Sequence, residues 1–174
     1  AALSFHEAAH GYAAYLLGDD TPKRAGRLTL NPVRHLDPLG TLLILLVRFG
    51  WAKPVPINMS RFKRPKLDTA LTALAGPAAN LVLVILSVLF LNIFWVLSLR
   101  LPVEGIWTSV FEVLKSMCYL GAILNGGLMF FNLLPVAPLD GSKVLAILLP
   151  GKVYFRYMKY EAYGMYVLLA VILI

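Results

Sequence analysis

Cysteine is almost missing from this chain: Cys118 stands alone, which excludes an internal disulfide and carries no redox information. Charge is scarce too, at 14% of residues against 59% hydrophobic, with a mean hydropathy of +0.75. Soluble domains carry about 25% charged and about 45–50% apolar residues. The balance therefore points to an integral membrane protein with a single transmembrane domain over residues 1–174 and no room for a second. Acidic residues number nine against sixteen Lys and Arg, a net charge of +7. That excess does not imply nucleic acid, because the basic residues lie in loops between apolar runs, where orientation in a lipid bilayer accounts for them. No removable signal peptide is read at the start, since the first apolar run lacks a basic lead-in. The chain begins inside that run and is expected to be truncated at one or both ends.

Histidine is equally sparse, with three in all, and two of them fall in one pentapeptide, His6-Glu7-Ala8-Ala9-His10. The pentapeptide sits in an apolar run from Ala1 to Leu17 that reads as helix. A spacing of four places His6 and His10 on one helical face, one turn apart. Two imidazoles so placed can grip one Zn²⁺, leaving Glu7 beside the water that the metal acidifies, the arrangement of H-E-x-x-H zinc hydrolases. The bland alternative is a pair of histidines bonded to carbonyls beside a neutral Glu7. In hydrocarbon, however, three ionisable groups within five residues need a compensating partner, and a divalent cation supplies one.

Beyond Gly18-Asp19-Asp20-Thr21-Pro22, whose turn chemistry ends the first run, Arg27 to Leu30 alternates and is expected to form an edge strand. A second apolar run, Leu39 to Val47, is too short to span a bilayer as a helix. The third, Leu67 to Leu99, is long enough for one tilted span, with Gly76-Pro77 expected to bend it. A fourth centres on Met117 to Leu134, and a last one, Tyr163 to Ile174, reaches the end of the chain. Ten Lys and Arg fall between residues 23 and 66, two at Arg100 and Lys115, and four between 143 and 159. If Leu39 to Val47 dips in without crossing, the first and third groups share one side, which the positive-inside rule makes cytoplasmic. The expected architecture is an all-α polytopic membrane protein: about four transmembrane helices with a short re-entrant or β-like segment after the first.

A catalytic zinc takes three protein ligands and keeps one open position. The third is to be sought among His35, Asp37, Asp140 and Glu161. Asp140 is favoured because Pro135 and Pro138 force non-helical backbone after a long apolar helix. Such backbone is tolerated at membrane depth only when it is buried in protein or lines a wet cavity. A surface Asp-Gly turn is the alternative.

Together, His6-Glu7-Ala8-Ala9-His10, Gly76-Pro77-Ala78-Ala79-Asn80 and Asn132-Leu133-Leu134-Pro135-Val136-Ala137-Pro138-Leu139-Asp140-Gly141 resemble the site-2 protease family of intramembrane zinc metalloproteases. They look most like its short prokaryotic members without a PDZ or CBS domain. Arg27 to Pro32 and Gly50 to Pro56 look like that branch as well. The resemblance covers nearly the whole chain. It implies His6, His10 and Asp140 as ligands of one Zn²⁺ per chain and Glu7 as general base. It also implies a substrate or oxyanion role for Asn132, and Asn80 is a second candidate for that role; helix-to-helix hydrogen bonding is the alternative for both, and the stronger one for Asn80. Asn31 and His35 are read as structural loop residues.

The expected function is regulated intramembrane proteolysis of a single-span membrane protein or a signal-peptide-like substrate, in a multi-pass protein of a prokaryotic cell membrane with its site toward the cytoplasm. Such a substrate could pair with the segments around Arg27 to Leu30 or Leu39 to Val47 by β-augmentation. A membrane zinc or proton transporter and a catalytically inactive scaffold are the rival classes.

Overall fold

The computed structural model describes residues 2–47, 52–101, 105–160, 163, 164, 166 and 170. The first apolar run forms α1 (Ala2–Leu16). It ends at Gly18, whose φ of +108° belongs to the region that glycine occupies without a side-chain penalty. A single turn, α2 (Thr21–Arg24), follows, and then a 3₁₀ turn over Pro32–His35 whose entry is capped by Asn31, its side chain accepting from Val33 N. α3 (Pro38–Val47) is ten residues long, about 15 Å at 1.5 Å per residue, so as a helix it does not cross a bilayer. A second 3₁₀ turn, Met59–Arg61, precedes the two long helices, α4 (Pro65–Arg100) and α5 (Ile106–Asn132). α6 (Asp140–Ala146) and α7 (Gly151–Tyr160) complete the described elements.

α4 is the element against which α1, α5 and α6 all pack. Its two parts differ. Between Asp68 and Asn80 the residues Thr69, Ala70, Thr72, Ala73, Gly76, Pro77 and Asn80 are buried, at the three- and four-residue steps of one helical face. Small side chains there let neighbouring helices approach closely. From Leu81 to Leu99 the helix is apolar and much of it exposed, as Ile85, Leu89, Trp95 and Leu99 illustrate. The helix runs unbroken through Pro77.

α4 and α5 are both long and apolar enough to cross a membrane. They are the two such helices among the described residues, against an expected count of about four spans. At fifteen residues α1 is about 22 Å long, short of a full span. Most of Tyr163 to Ile174, with Glu161, Gly50 and Trp51, lies outside the described residues.

The strand expected at Arg27 to Leu30 does not form, and no strand occurs among the described residues. An isolated bridge between Leu36 and Ala52 is the sole β-type pairing there. Arg27 explains the difference: its guanidinium is buried and donates to the carbonyls of Arg34, Lys53 and Pro54. A side chain thus takes acceptors that a β-ladder would use, and Pro32, Pro54 and Pro56 lack the N–H that a ladder requires.

Candidate metal centre

His6 and His10 lie one turn apart on α1, and both are buried. Asp140, the first residue of α6, is brought to them from the other end of the chain. His6 Nε2 is 3.1 Å and His10 Nε2 is 3.2 Å from Asp140 Oδ2, and the two imidazole nitrogens are 3.0 Å apart. Tetrahedral zinc with bonds of about 2.0–2.1 Å would set neighbouring ligand atoms about 3.3 Å apart. The three atoms therefore form a triangle close to the one that Zn²⁺ requires.

The hydrogen bonds behind the triangle test the fit further. His10 Nδ1 lies 2.7 Å from the carbonyl oxygen of Thr72. A carbonyl only accepts, so Nδ1 carries the proton and, in the neutral ring, Nε2 presents a lone pair. Asp140 Oδ2 is an acceptor as well. Converging acceptor atoms in a buried site repel unless a cation sits among them. The donor set fits zinc.

Glycine shapes the space on both sides. A Cβ on Gly76 of α4 would lie 2.6 Å from Cε1 of both His6 and His10 and closer still to His10 Nε2. A Cβ on Gly141 would strike the carbonyl oxygen of Leu133 and lie 2.6 Å from that of Leu134. The backbone thus folds back against the end of α5 just where Asp140 must be turned inward. Lys143 Nζ lies 3.6 Å from the other Asp140 oxygen, Oδ1.

Glu7 Oε2 accepts a hydrogen bond from Val55 N at 3.2 Å. Val55 stands between Pro54 and Pro56, so it supplies the one backbone N–H of that tripeptide. The segment is tied to the end of α1 by Asp19, which is fully buried and accepts from Thr21 N at 3.0 Å and Asn58 N at 2.6 Å. Beside it, Arg24 and Arg61 both pair with Asp20. Residual desolvation would raise the Asp20 carboxyl, but the Arg24 hydrogen bond and the charges of Arg24 and Arg61 outweigh it and hold the group below its usual range.

The other candidates are placed elsewhere. His35 is buried and donates from Nε2 to Thr29 O at 2.8 Å, within the loop. Asp37 Oδ1 accepts from Gly40 N at 2.9 Å at the start of α3. Asn132, the last residue of α5, gives one N–H to Leu128 O at 2.9 Å. Asn80 is fully buried, and its amide lies 3.3 Å from His6 Nδ1, the ring nitrogen that does not face Asp140. Sequence reasoning missed Thr72, Val55 and Lys143, which act through a carbonyl, an N–H and a long flexible arm that leave no residue-type signature. The spacing of Thr72, Gly76 and Asn80, four apart on one buried face, is the signal that could have found the first.

The family model described as peptidase family M50 matches residues 1–174. A Bacillus subtilis (strain 168) protein named "Putative zinc metalloprotease YwhC" is 41% identical over 167 residues, 96% of this chain and 74% of that protein. Mycolicibacterium smegmatis and Mycobacterium tuberculosis proteins named "Putative zinc metalloprotease Rip2" are 30% and 28% identical, each over 82% of this chain. The chain spans 52% of the length of those two. No solved structure matches.

Proposed function

Because the chain belongs to peptidase family M50, we propose that it is an intramembrane zinc metalloprotease that cleaves peptide bonds of membrane-spanning substrates. The observation that carries the reading is the triangle of His6, His10 and Asp140, with 3.0–3.2 Å between their ligand atoms and Glu7 next to His6 on the same helix. These three side chains would hold the metal. When bound, Zn²⁺ supplies a Lewis acid that acidifies water and polarises a carbonyl.

Glu7 is the general base: it takes a proton from the attacking water and returns it to the leaving amine. The Val55 N–H engages Oε2, which orients the carboxylate about its terminal bond and directs Oε1 to the proton transfer. Asn132 is the candidate amide for the oxygen that gains negative charge, since an amide has a second N–H beyond the one given to Leu128. The substrate class is a single-span membrane protein or a signal-peptide-like segment in the lipid bilayer. The chain lies as a multi-pass protein with its basic loops and its site toward the cytoplasm. The exposed apolar faces of α4 and α5 support the bilayer placement.

The test is cleavage of a model single-span substrate by parent and Glu7→Gln protein. Turnover should fall about 10²–10⁴-fold, the usual contribution of a general base, with zinc content unchanged. Unaltered turnover would contradict the role.

A further inference from the structure

We infer that Asn80 is a positioning residue for the metal: its side-chain oxygen accepts the Nδ1 proton of His6 and so fixes the ring form in which Nε2 is a ligand. The inference rests on the zinc reading above and deepens it.

Asn80 is completely buried, and its Oδ1 is one of the few buried polar side-chain atoms without a hydrogen-bond partner among the described residues. Its Nδ2 lies 3.3 Å from His6 Nδ1. A half-turn of the amide about its last bond exchanges oxygen and nitrogen in nearly the same volume, and the hydrogen-bond network decides between the two settings. With Nδ2 toward the ring, Asn80 donates to Nδ1, the neutral imidazole must carry its proton on Nε2, and Oδ1 stays unpaired. With Oδ1 toward the ring, the orphaned acceptor is satisfied, Nδ1 is protonated, and the Nε2 lone pair faces Asp140 and His10. Either setting leaves one end of the amide without a partner among the described residues, so the metal decides between them: only the second gives His6 Nε2 the lone pair that a ligand needs.

The neighbouring histidine supports the assignment independently. His10 Nδ1 donates to Thr72 O at 2.7 Å, and a carbonyl cannot be reversed. Thr72, Gly76 and Asn80 follow one another at four-residue steps on the buried face of α4. The first anchors His10, the second leaves room for both rings, and the third anchors His6. One face of one helix thus sets both imidazoles to the same tautomer.

The experiment measures zinc affinity by chelator competition in the purified whole chain in detergent, for the parent, Asn80→Leu and Asn80→Asp. Thermal unfolding of each metal-free protein is followed in parallel. Leucine has a similar volume and no acceptor; affinity should drop about 10–100-fold, the usual cost of losing a partner behind a ligand. Aspartate accepts but cannot donate, so it should hold zinc at least as tightly as the parent, a rescue that a packing role would not give. Parent-like affinity in the leucine variant would overturn the inference, as would weakening by aspartate, which alone decides the matter if the leucine variant does not fold. A parent that binds no zinc would instead overturn the zinc reading, and this inference with it.

Discussion

Gly76 stands where a methyl group would meet both ligand rings, within 2.6 Å of Cε1 on each. The rings cannot retreat freely, because His10 is tied to Thr72 O on the same helix as the intruding group. Gly76→Ala is therefore expected to lower zinc affinity by about 10–100-fold, the range for disturbed ligand support, while an overpacking cost of about 1–3 kcal/mol appears as a lower melting temperature. Chelator competition and thermal unfolding check the two effects; an alanine variant with parent affinity would mean that the rings have room to move. The meeting of His6, His10 and Asp140 was legible in the sequence. His6, Glu7 and His10 declare themselves by spacing, and Asp140 by two prolines that forbid helix before it. Thr72 and Val55 were not legible, because their contributions are backbone groups and any residue type carries those.

At the scale of elements, the segment from Ala52 to Arg61 behaves as a strap across the end of α1. Asp19 holds it through Asn58 N, and Arg61 reaches back to Asp20. Asp19→Ala leaves the half-buried N–H of Thr21 and the N–H of the exposed Asn58 without their acceptor, which costs less than the about 1–3 kcal/mol of a fully buried unpaired group, since water reaches both in part. Lower thermal stability with zinc content unchanged is the expected result, since the hydrogen bonds and ion pairs described for the three metal ligands do not involve the strap. The Asp20 cluster adds a pH dependence. A carboxyl whose folded value is depressed stabilises the fold above its unfolded value, about 3.9, and that contribution is lost as pH falls through the folded value. Arg61→Gln should lower the neutral plateau and flatten the acid limb of a stability-against-pH curve, with parent and variant converging at the lowest pH. Sequence pattern misjudged this region: alternation at Arg27 to Leu30 suggested a strand, and pattern alone could not show that Arg27 would be buried against the carbonyls of Arg34, Lys53 and Pro54.

For the whole molecule, the distribution of exposed apolar surface is the governing fact. Ile85, Leu89, Trp95, Ile123, Leu124 and Phe130 are about half exposed or more, on the two helices long enough to span a bilayer. Their hydrophobicity and length were readable from the sequence; the division of α4 into a buried, polar-bearing part and an exposed, apolar part was not, because only packing against α1 and α6 reveals it. The proposed orientation predicts a labelling pattern. In a Cys118→Ala background, cysteine placed at Lys63 should react with a membrane-impermeant reagent from the cytoplasmic face only, and cysteine at Leu101, beyond α4, from the opposite face only. Reaction of both from one side would contradict a crossing by α4.

Three side chains from the two ends of the chain, His6, His10 and Asp140, meet where one metal would bind. Zinc per chain, measured on purified detergent-solubilised protein for the parent, Asp140→Ala and His35→Ala, tests it most directly. About one zinc in the parent and in the His35 variant, the stoichiometry of a catalytic site, with loss on Asp140→Ala, is the predicted result. Zinc retained without Asp140 but lost without His35 would contradict it.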